Sequence, residues 1–216
     1  GSIMNRVYSG LPEAAREKTI FVGFDNETDI VHFASSIHPQ ISFKEYNLID
    51  KPPTIDPFHI SILSNVLHEI YSQNLQNDQK AKEITIEAIR NVMDMTESGG
   101  SVIILDGILP DNHESSIEIE FLQDAEYSRF IKFASAGYII EIPYKVCRGR
   151  KVRTTVGSLA AFLAKSRYLN TSFWLQEAKQ VYHYFTQRDF EDALSSNGFI
   201  IQKQLLGTKD KDDEEN

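Results

Sequence analysis

Apolar positions in the first half of the chain fall into two alternating patterns. Short continuous apolar runs predict buried strands at residues 18–23, 41–46, 58–63 and 101–105. Between the first two runs, Ile30, Phe33, Ala34 and Ile37 recur at the spacing of one helix face. Thr28 is the predicted N-cap of that helix.

A longer helix is predicted over residues 78–96, with Gly99 and Gly100 beyond its end, and another helix at about residues 3–17. Strands that alternate with helices of this length are typical of parallel sheets. The pattern therefore predicts an α/β fold, Rossmann-like, with a mostly parallel sheet and helices on both of its faces.

The alternation of predicted strands and helices becomes irregular over residues 110–184. We predict a helix at 118–133, an extended segment at 138–144 and a further helix around Leu159 and Phe162. This region is interpreted as an irregular lid or substrate-side insertion in a single domain at 1–208. Regular structure resumes at Thr186, where Thr-Gln-Arg-Asp predicts a capping box, and a last strand is predicted at 199–206. Residues 209–216 are a charged tail.

Composition argues against two classes of partner, nucleic acids and membranes. The formal net charge of -9 argues against capture of a nucleic-acid backbone, which needs a positive surface. No apolar run approaches the roughly 18–20 residues of a membrane span, and no secretory leader opens the sequence. Cys147 is the only cysteine. These features predict a cytoplasmic protein with no membrane partner.

Polar side chains stand where the predicted strands end. Asp25 follows the first strand, Asn47 the second, Ser64 and Asn65 the third, and Asp106 the fourth. Ligands of open α/β sheets bind at the carboxyl ends of the strands, so these residues predict a ligand site.

Two segments carry a resemblance to a known family. The order strand, polar tip, helix, Gly-Gly, strand and Asp resembles the second half of Rossmann-like class I methyltransferases that use S-adenosylmethionine. The segments SNVLHEI at 64–70 and SGGSVIILDGILPD at 98–111 look like the small-molecule O-methyltransferase branch. The resemblance covers residues 20–110 well and 186–206 loosely.

The resemblance implies S-adenosylmethionine as the cofactor and methyl transfer to an oxygen, or less readily a nitrogen, of a small molecule. It assigns the ribose to Asp25 with Asn26, and the adenine to Asn47, which stands where the family usually has Asp, with apolar contact from Leu48. Ser64 and Asn65 then border the methionine end of the cofactor.

The glycine loop that the family places after its first strand is not in the sequence. Either the strand and loop are truly absent, or Gly1 is the last glycine of a loop whose strand lies upstream of residue 1. The first alternative predicts a non-catalytic methyltransferase-like module for binding or assembly, with dimerisation covering its exposed strand edges. The second predicts an enzyme.

Candidates for chemistry lie near the same predicted edge. His68 is the candidate general base, because histidine can accept a proton near neutral pH; helix packing is its structural alternative. Glu69, Asp106 and His113 are the candidate substrate-binding residues. Their spacing matches no specific metal-ligand motif, so no metal site is predicted.

Two further groups leave alternatives open. A basic run over residues 145–153 fits either an anionic group on the substrate or a solvated hairpin turn. The aromatic residues Trp174 and Tyr182 to Phe185 fit either core packing or the lining of a pocket for a flat substrate.

Overall fold

The chain folds as a mixed α/β protein in the computed structural model, which describes residues 2–202. The first half begins with two helices and a parallel strand pair. Its elements are α1 (Ser2–Gly10), α2 (Glu13–Arg16), β1 (Val22–Asp25), α3 (Thr28–Ile37) and β2 (Ser42–Glu45). The predicted helix at 3–17 is wrong in one respect, because Pro12 precedes a new helix at Glu13 and divides the segment.

Helix α3 confirms the predicted apolar face but not the predicted cap. The N-cap residue is Glu27, and Thr28 is already helical. The Thr28 hydroxyl instead donates a hydrogen bond to Glu45 Oε2 at 2.6 Å, which ties α3 to the end of β2.

A second parallel pair follows. Its elements are β3 (Phe58–Ser64), α4 (Leu67–Gln73), α5 (Asp78–Asp94) and β4 (Thr96–Leu105). The predicted Gly-Gly helix exit is wrong: strand β4 already begins at Thr96. Gly99 has φ 83 and lies where the register with β3 shifts, so the glycines form an irregularity within the strand.

The four parallel strands form two separate two-stranded sheets within residues 2–202. The predicted mixed α/β character and parallel pairing are confirmed, and one continuous parallel sheet is not shown within these residues. The two sheets touch through side chains: the rings of Phe24 in β1 and Phe58 in β3 are 6.1 Å apart. One edge of β1 and one edge of β3 therefore have no neighbouring strand in the described part of the chain.

Residues 110–184 are more regular than the sequence predicted. They form β5 (Ser116–Glu120), α6 (Asp124–Ser135), β6 (Tyr144–Val146), β7 (Lys151–Thr155), α7 (Val156–Lys165), a 3-10 helix (Ser166–Tyr168) and α8 (Trp174–Glu177). The strands pair antiparallel in the order β5-β7-β6. The predicted helix at 118–133 is wrong, because its two apolar phases belong to a strand and then a helix.

The insertion has an apolar core of its own. This core contains Phe121, Phe130, Phe133, Ile142, Val152, Phe162 and Leu169. The main core lies between the β3–β4 sheet and its helices, and includes Leu63, Leu67, Ile70, Ala88, Ile89, Val92 and Phe190. The insertion and the rest of the protein are therefore each stabilised by burial of apolar side chains in a separate core.

The chain returns from the insertion beside β4. Leu109 N donates to Phe185 O at 2.8 Å, and Leu109 forms a parallel bridge with Thr186. The predicted capping box is confirmed at the start of α9 (Gln187–Ser196), where Thr186 and Asp189 bond each other's backbone N–H groups.

The predicted last strand is not found in its described part, since residues 199–202 have no strand structure. The rest of that strand, the charged tail and Gly1 lie outside the described residues. Across residues 2–202, no helix has both the length and the apolar character needed to cross a bilayer.

Candidate functional site

The segments that follow β3 and β4 meet at a buried histidine–carboxylate pair. His68 lies in the first turn of α4, and Asp106 directly follows β4. His68 Nδ1 is 2.8 Å from Asp106 Oδ1, and both side chains are 2% exposed. Parallel strands bring these residues together from 38 positions apart in the sequence.

Asp106 also holds the start of α4. Its Oδ2 accepts hydrogen bonds from Leu67 N at 3.0 Å and His68 N at 3.2 Å, and its Oδ1 accepts one from Gly107 N at 2.8 Å. The N-cap residue of α4, Val66, has no side-chain cap. A carboxylate from β4 thus satisfies the N–H groups that a local cap would otherwise bind, and its charge suits the helix N-terminus.

The geometry determines which imidazole nitrogen is open to chemistry. An ionised carboxylate only accepts hydrogen bonds, so Nδ1 of neutral His68 carries the proton and Nε2 keeps a lone pair. Nε2 is buried and has no hydrogen-bond partner among residues 2–202. A buried polar atom without a partner is costly, which marks Nε2 as an atom positioned for a ligand.

An aromatic ring lies against this histidine. The rings of His68 and Tyr182 are 4.3 Å apart at an interplanar angle of 87°. On the same phenol ring, Lys165 Nζ lies 3.5 Å from the ring centroid. Lys165 is fully buried, and its Nζ donates to Glu177 Oε2 at 2.6 Å.

The surrounding charges are coupled. Burial lowers the pKa of Lys165, whereas its contact with Glu177 and the more distant Glu69 oppose that shift. Burial also lowers the pKa of His183, and the positive charge of Lys165 and the neighbouring His68 lower it further, against Asp106. His183 is therefore neutral over a wider pH range than an exposed histidine.

Glu69 connects the buried pair to an open cleft. The cleft has a volume of about 520 Å³ and is lined by Glu69, Ser72, Gln73, Ile139, Leu175, Gln176, Lys179 and Gln180. Partial burial raises the pKa of Glu69; His68 opposes this shift, and the carboxylates of Asp25, Asp106 and Glu177 add to it. Four carboxylates thus share one electrostatic neighbourhood.

The predicted cofactor residues follow the ends of β1, β2 and β3. Asp25 lies within electrostatic reach of Glu69, although its Oδ1 also accepts a local bond from Glu27 N at 3.0 Å. Ser64 ends β3, and Asn65 follows it with φ 54 and donates its N–H to Leu105 O at 2.8 Å. Asn26 is exposed next to Asp25.

Asn47 and Leu48 follow the end of β2, beside Asp25, because Tyr46 N donates to Asp25 O at 2.9 Å. Leu48 O accepts a bond from Asn91 Nδ2 at 2.8 Å, near the end of α5 and the start of β4. Asn47 Oδ1 accepts only a long local bond from Ile49 N, at 3.4 Å, among its described contacts. The backbone carbonyl of Leu48 is thus tied to the last turns of α5.

His113 is positioned by the insertion. Its Nδ1 is 3.1 Å from Pro110 O, and its backbone carbonyl accepts a bond from Gly157 N at 2.9 Å. The side chain thus contributes to the junction between β4 and α7.

The basic run forms the β6–β7 hairpin with Gly149 at its turn. Ion pairs join Arg150 to Asp124 at 3.6 Å, Lys151 to Glu120 at 3.1 Å and Arg153 to Glu118 at 3.4 Å. The structure favours the solvated hairpin, because neighbouring carboxylates already neutralise much of the run.

Sequence reasoning missed Lys165 and Glu177. Lys165 is 97 residues from His68, and nothing in the spacing indicates that the two share a site. The aromatic residues at 182–185 were predicted either to pack in the core or to line a pocket, and both occur. Tyr184 and Phe185 pack in the main core, whereas Tyr182 contacts His68.

No group of three or more His, Cys, Asp or Glu side chains between residues 2 and 202 is arranged to hold a metal ion. A scan against models of known protein families finds no match to the chain, and a search of curated proteins finds none either.

Proposed function

We propose that the chain is an S-adenosylmethionine-dependent methyltransferase acting on a hydroxyl group, or less readily an amine, of a small molecule. One observation carries the proposal: His68 and Asp106 pair where β3 and β4 end, and Nε2 of His68 has no partner in the described chain. On this proposal the two parallel strand pairs are parts of one Rossmann-like arrangement.

The charges around His68 suit the proposed cofactor in part. The sulfonium of S-adenosylmethionine is positive, and Asp25, Glu69, Asp106 and Glu177 supply negative charge within one another's electrostatic reach. Asp25 is the proposed ribose ligand, and Ser64 and Asn65 border the methionine end. Asn47 and Leu48 are the proposed adenine contacts, and they follow β2 beside Asp25.

The residues of the site would act on the acceptor. The bound cofactor supplies an activated methyl group. Nε2 of His68 accepts the proton from the acceptor hydroxyl, and Asp106 keeps the imidazole in the required tautomer and orientation. Asp106 also stabilises the imidazolium that forms, as a buried carboxylate does in other histidine-based sites.

Cofactor binding is tested by calorimetry with S-adenosylmethionine and S-adenosylhomocysteine. We expect Asp25→Ala to weaken binding by about tenfold or more, or roughly 1.4 kcal/mol. Asn47→Ala should also weaken binding, by about tenfold or less, whereas the exposed control Asp56→Ala should leave the affinity within about twofold. Absence of heat from both ligands with the unmodified protein would reject the cofactor.

The role of His68 is tested by transfer of a labelled methyl group to a panel of small molecules with acidic hydroxyls. His68→Asn keeps an N–H that can donate to Asp106 but removes the acceptor at Nε2. We expect the rate of transfer to fall by about 100-fold to 10,000-fold with little change in cofactor affinity. An unchanged rate would exclude His68 as the base.

A second candidate, a non-catalytic module that assembles with its own copy, is favoured by the exposed face of the β3–β4 sheet. Ile60, Ile103 and Leu105 lie on this face and are 60%, 43% and 47% exposed. Sedimentation analysis tests it: Ile103→Glu should dissociate a dimer that the exposed control Leu163→Glu retains. A monomer at all concentrations, together with cofactor binding, would reject this candidate.

A further inference from the structure

The side chain that covers His68 comes from the segment leading out of the insertion. Tyr182 is half-buried, and its ring contacts His68 as described above. The pKa of the Tyr182 phenol is raised by burial and by Glu177 and Tyr168, so the hydroxyl stays protonated at neutral pH. With Tyr182 in this position, His68 is only 1% exposed and an acceptor cannot reach Nε2.

The backbone around Tyr182 is fixed at several points. Val181 N donates to Ser72 Oγ at 2.8 Å, and Leu109 N donates to Phe185 O at 2.8 Å. A Cβ added to Gly107 would lie 2.1 Å from Tyr182 O, so the two backbones pack as closely as a glycine allows. Uncovering His68 is therefore more easily achieved by rotation of the Tyr182 side chain than by movement of the segment.

Lys165 holds the ring from the insertion side. Its ammonium contacts the ring and Glu177, and it has no solvent exposure. Burying a lysine is costly, and an apolar residue of similar size would pack there at lower cost. A cation–π contact is stronger in a desolvated place than at an exposed site, so this one favours the observed position of the ring.

We propose that Tyr182 is a gate over His68, that the Lys165–Glu177 pair keeps the gate closed, and that the place occupied by the Tyr182 ring becomes a ligand subsite when the gate opens. The subsite takes a planar, electron-rich ring, because such a ring can replace the contacts that the phenol makes with the ammonium and the imidazole. This inference goes with the proposed function, but the gate and its subsite are measurable without methyl transfer.

Histidine acylation by diethyl pyrocarbonate, followed residue by residue with mass spectrometry, measures access to Nε2. His59, whose side chain is 85% exposed, serves as the internal reference in every sample. In the unmodified protein we expect His68 to react far more slowly than His59, because acylation requires opening of the site.

Tyr182→Ala should raise the rate at His68 by about tenfold or more, whereas Tyr182→Phe should keep the protection because it keeps the ring. Tyr144→Ala, a tyrosine change elsewhere in the insertion, is the matched control and should change nothing at His68. Circular dichroism verifies that each variant is folded. Protection of His68 that persists in folded Tyr182→Ala would overturn the gate.

The role of the Lys165–Glu177 pair is tested by the double variant Lys165→Met with Glu177→Gln, which removes both charges and leaves no unpaired ion. We expect an increase at His68 of about threefold or more, intermediate between the unmodified protein and Tyr182→Ala. A rate equal to that of the unmodified protein would overturn the role of Lys165.

The subsite is tested with phenol as the probe. Phenol should restore the protection of His68 in Tyr182→Ala, and cyclohexanol, which has a similar size but no aromatic ring, should not. Restoration by both or by neither would overturn the preference for an aromatic ring. If the acylation rates show that Tyr182 protects His68 but calorimetry shows no binding of S-adenosylmethionine, the proposed function alone is rejected and the gate stands.

Discussion

Asp106→Ala removes the acceptor that joins the end of β4 to the start of α4. In the folded protein the two oxygens of Asp106 accept bonds from three backbone N–H groups and from His68 Nδ1, at 2.8 to 3.2 Å. The hydroxyl of Tyr184 adds a longer contact at 3.4 Å. After the substitution these donors have no partner, and the site is too buried for bulk water to replace the carboxylate.

The expected cost follows from these contacts. A hydrogen bond to a charged group contributes about 1.5–3 kcal/mol, but bonds that share two oxygens do not add independently. Leaving a buried donor without an acceptor costs about 1–3 kcal/mol, and because several donors lose Asp106 together, we expect Asp106→Ala to lower the free energy of unfolding by about 3–5 kcal/mol. Asp106→Asn, which keeps one acceptor oxygen, should lose about 1.5–3 kcal/mol.

Urea unfolding followed by far-UV circular dichroism measures the effect, with the slope m compared between variants. Asp56 is exposed, so Asp56→Ala is the control and should stay within about 0.5 kcal/mol of the unmodified protein. A loss below about 1 kcal/mol for Asp106→Ala at unchanged m would refute the view that this carboxylate organises the site.

Three other substitutions test separate features. Gly107→Ala should lower the free energy of unfolding by about 1–3 kcal/mol, because the new methyl group meets Tyr182 O; Gly10→Ala, with open space around it, should not, by the same urea assay. Burial and nearby positive charge lower the pKa of His183, so stability from this group is present above about pH 6.5 and lost as the pH falls through the folded value. His183→Gln should therefore lose less melting temperature between about pH 7 and pH 5, and equal losses would contradict a buried neutral histidine. Thr186→Ala removes the N-cap of α9 and should cost about 1 kcal/mol, whereas Thr186→Ser should keep most of it; equal unfolding midpoints for all three proteins would exclude the cap.

Features that depend on neighbouring residues were predictable. The apolar spacing in α3, the short strand at β3 and the capping box at Thr186 each follow from residues within a few positions of one another. The same local reasoning failed at residues 118–133, where a strand and a helix adjoin, and at Gly99, where the glycine serves a strand irregularity rather than a helix end.

For the candidate site, the sequence by itself determined which polar residues follow the parallel strands: Asp106 comes directly after an apolar run, and His68 comes four residues after Ser64, which ends another. Only the tertiary structure decided that these two bond each other and that Lys165 and Tyr182 close the site. Contacts between residues tens of positions apart depend on how whole elements pack, and neither hydrophobic periodicity nor motif spacing contains that information.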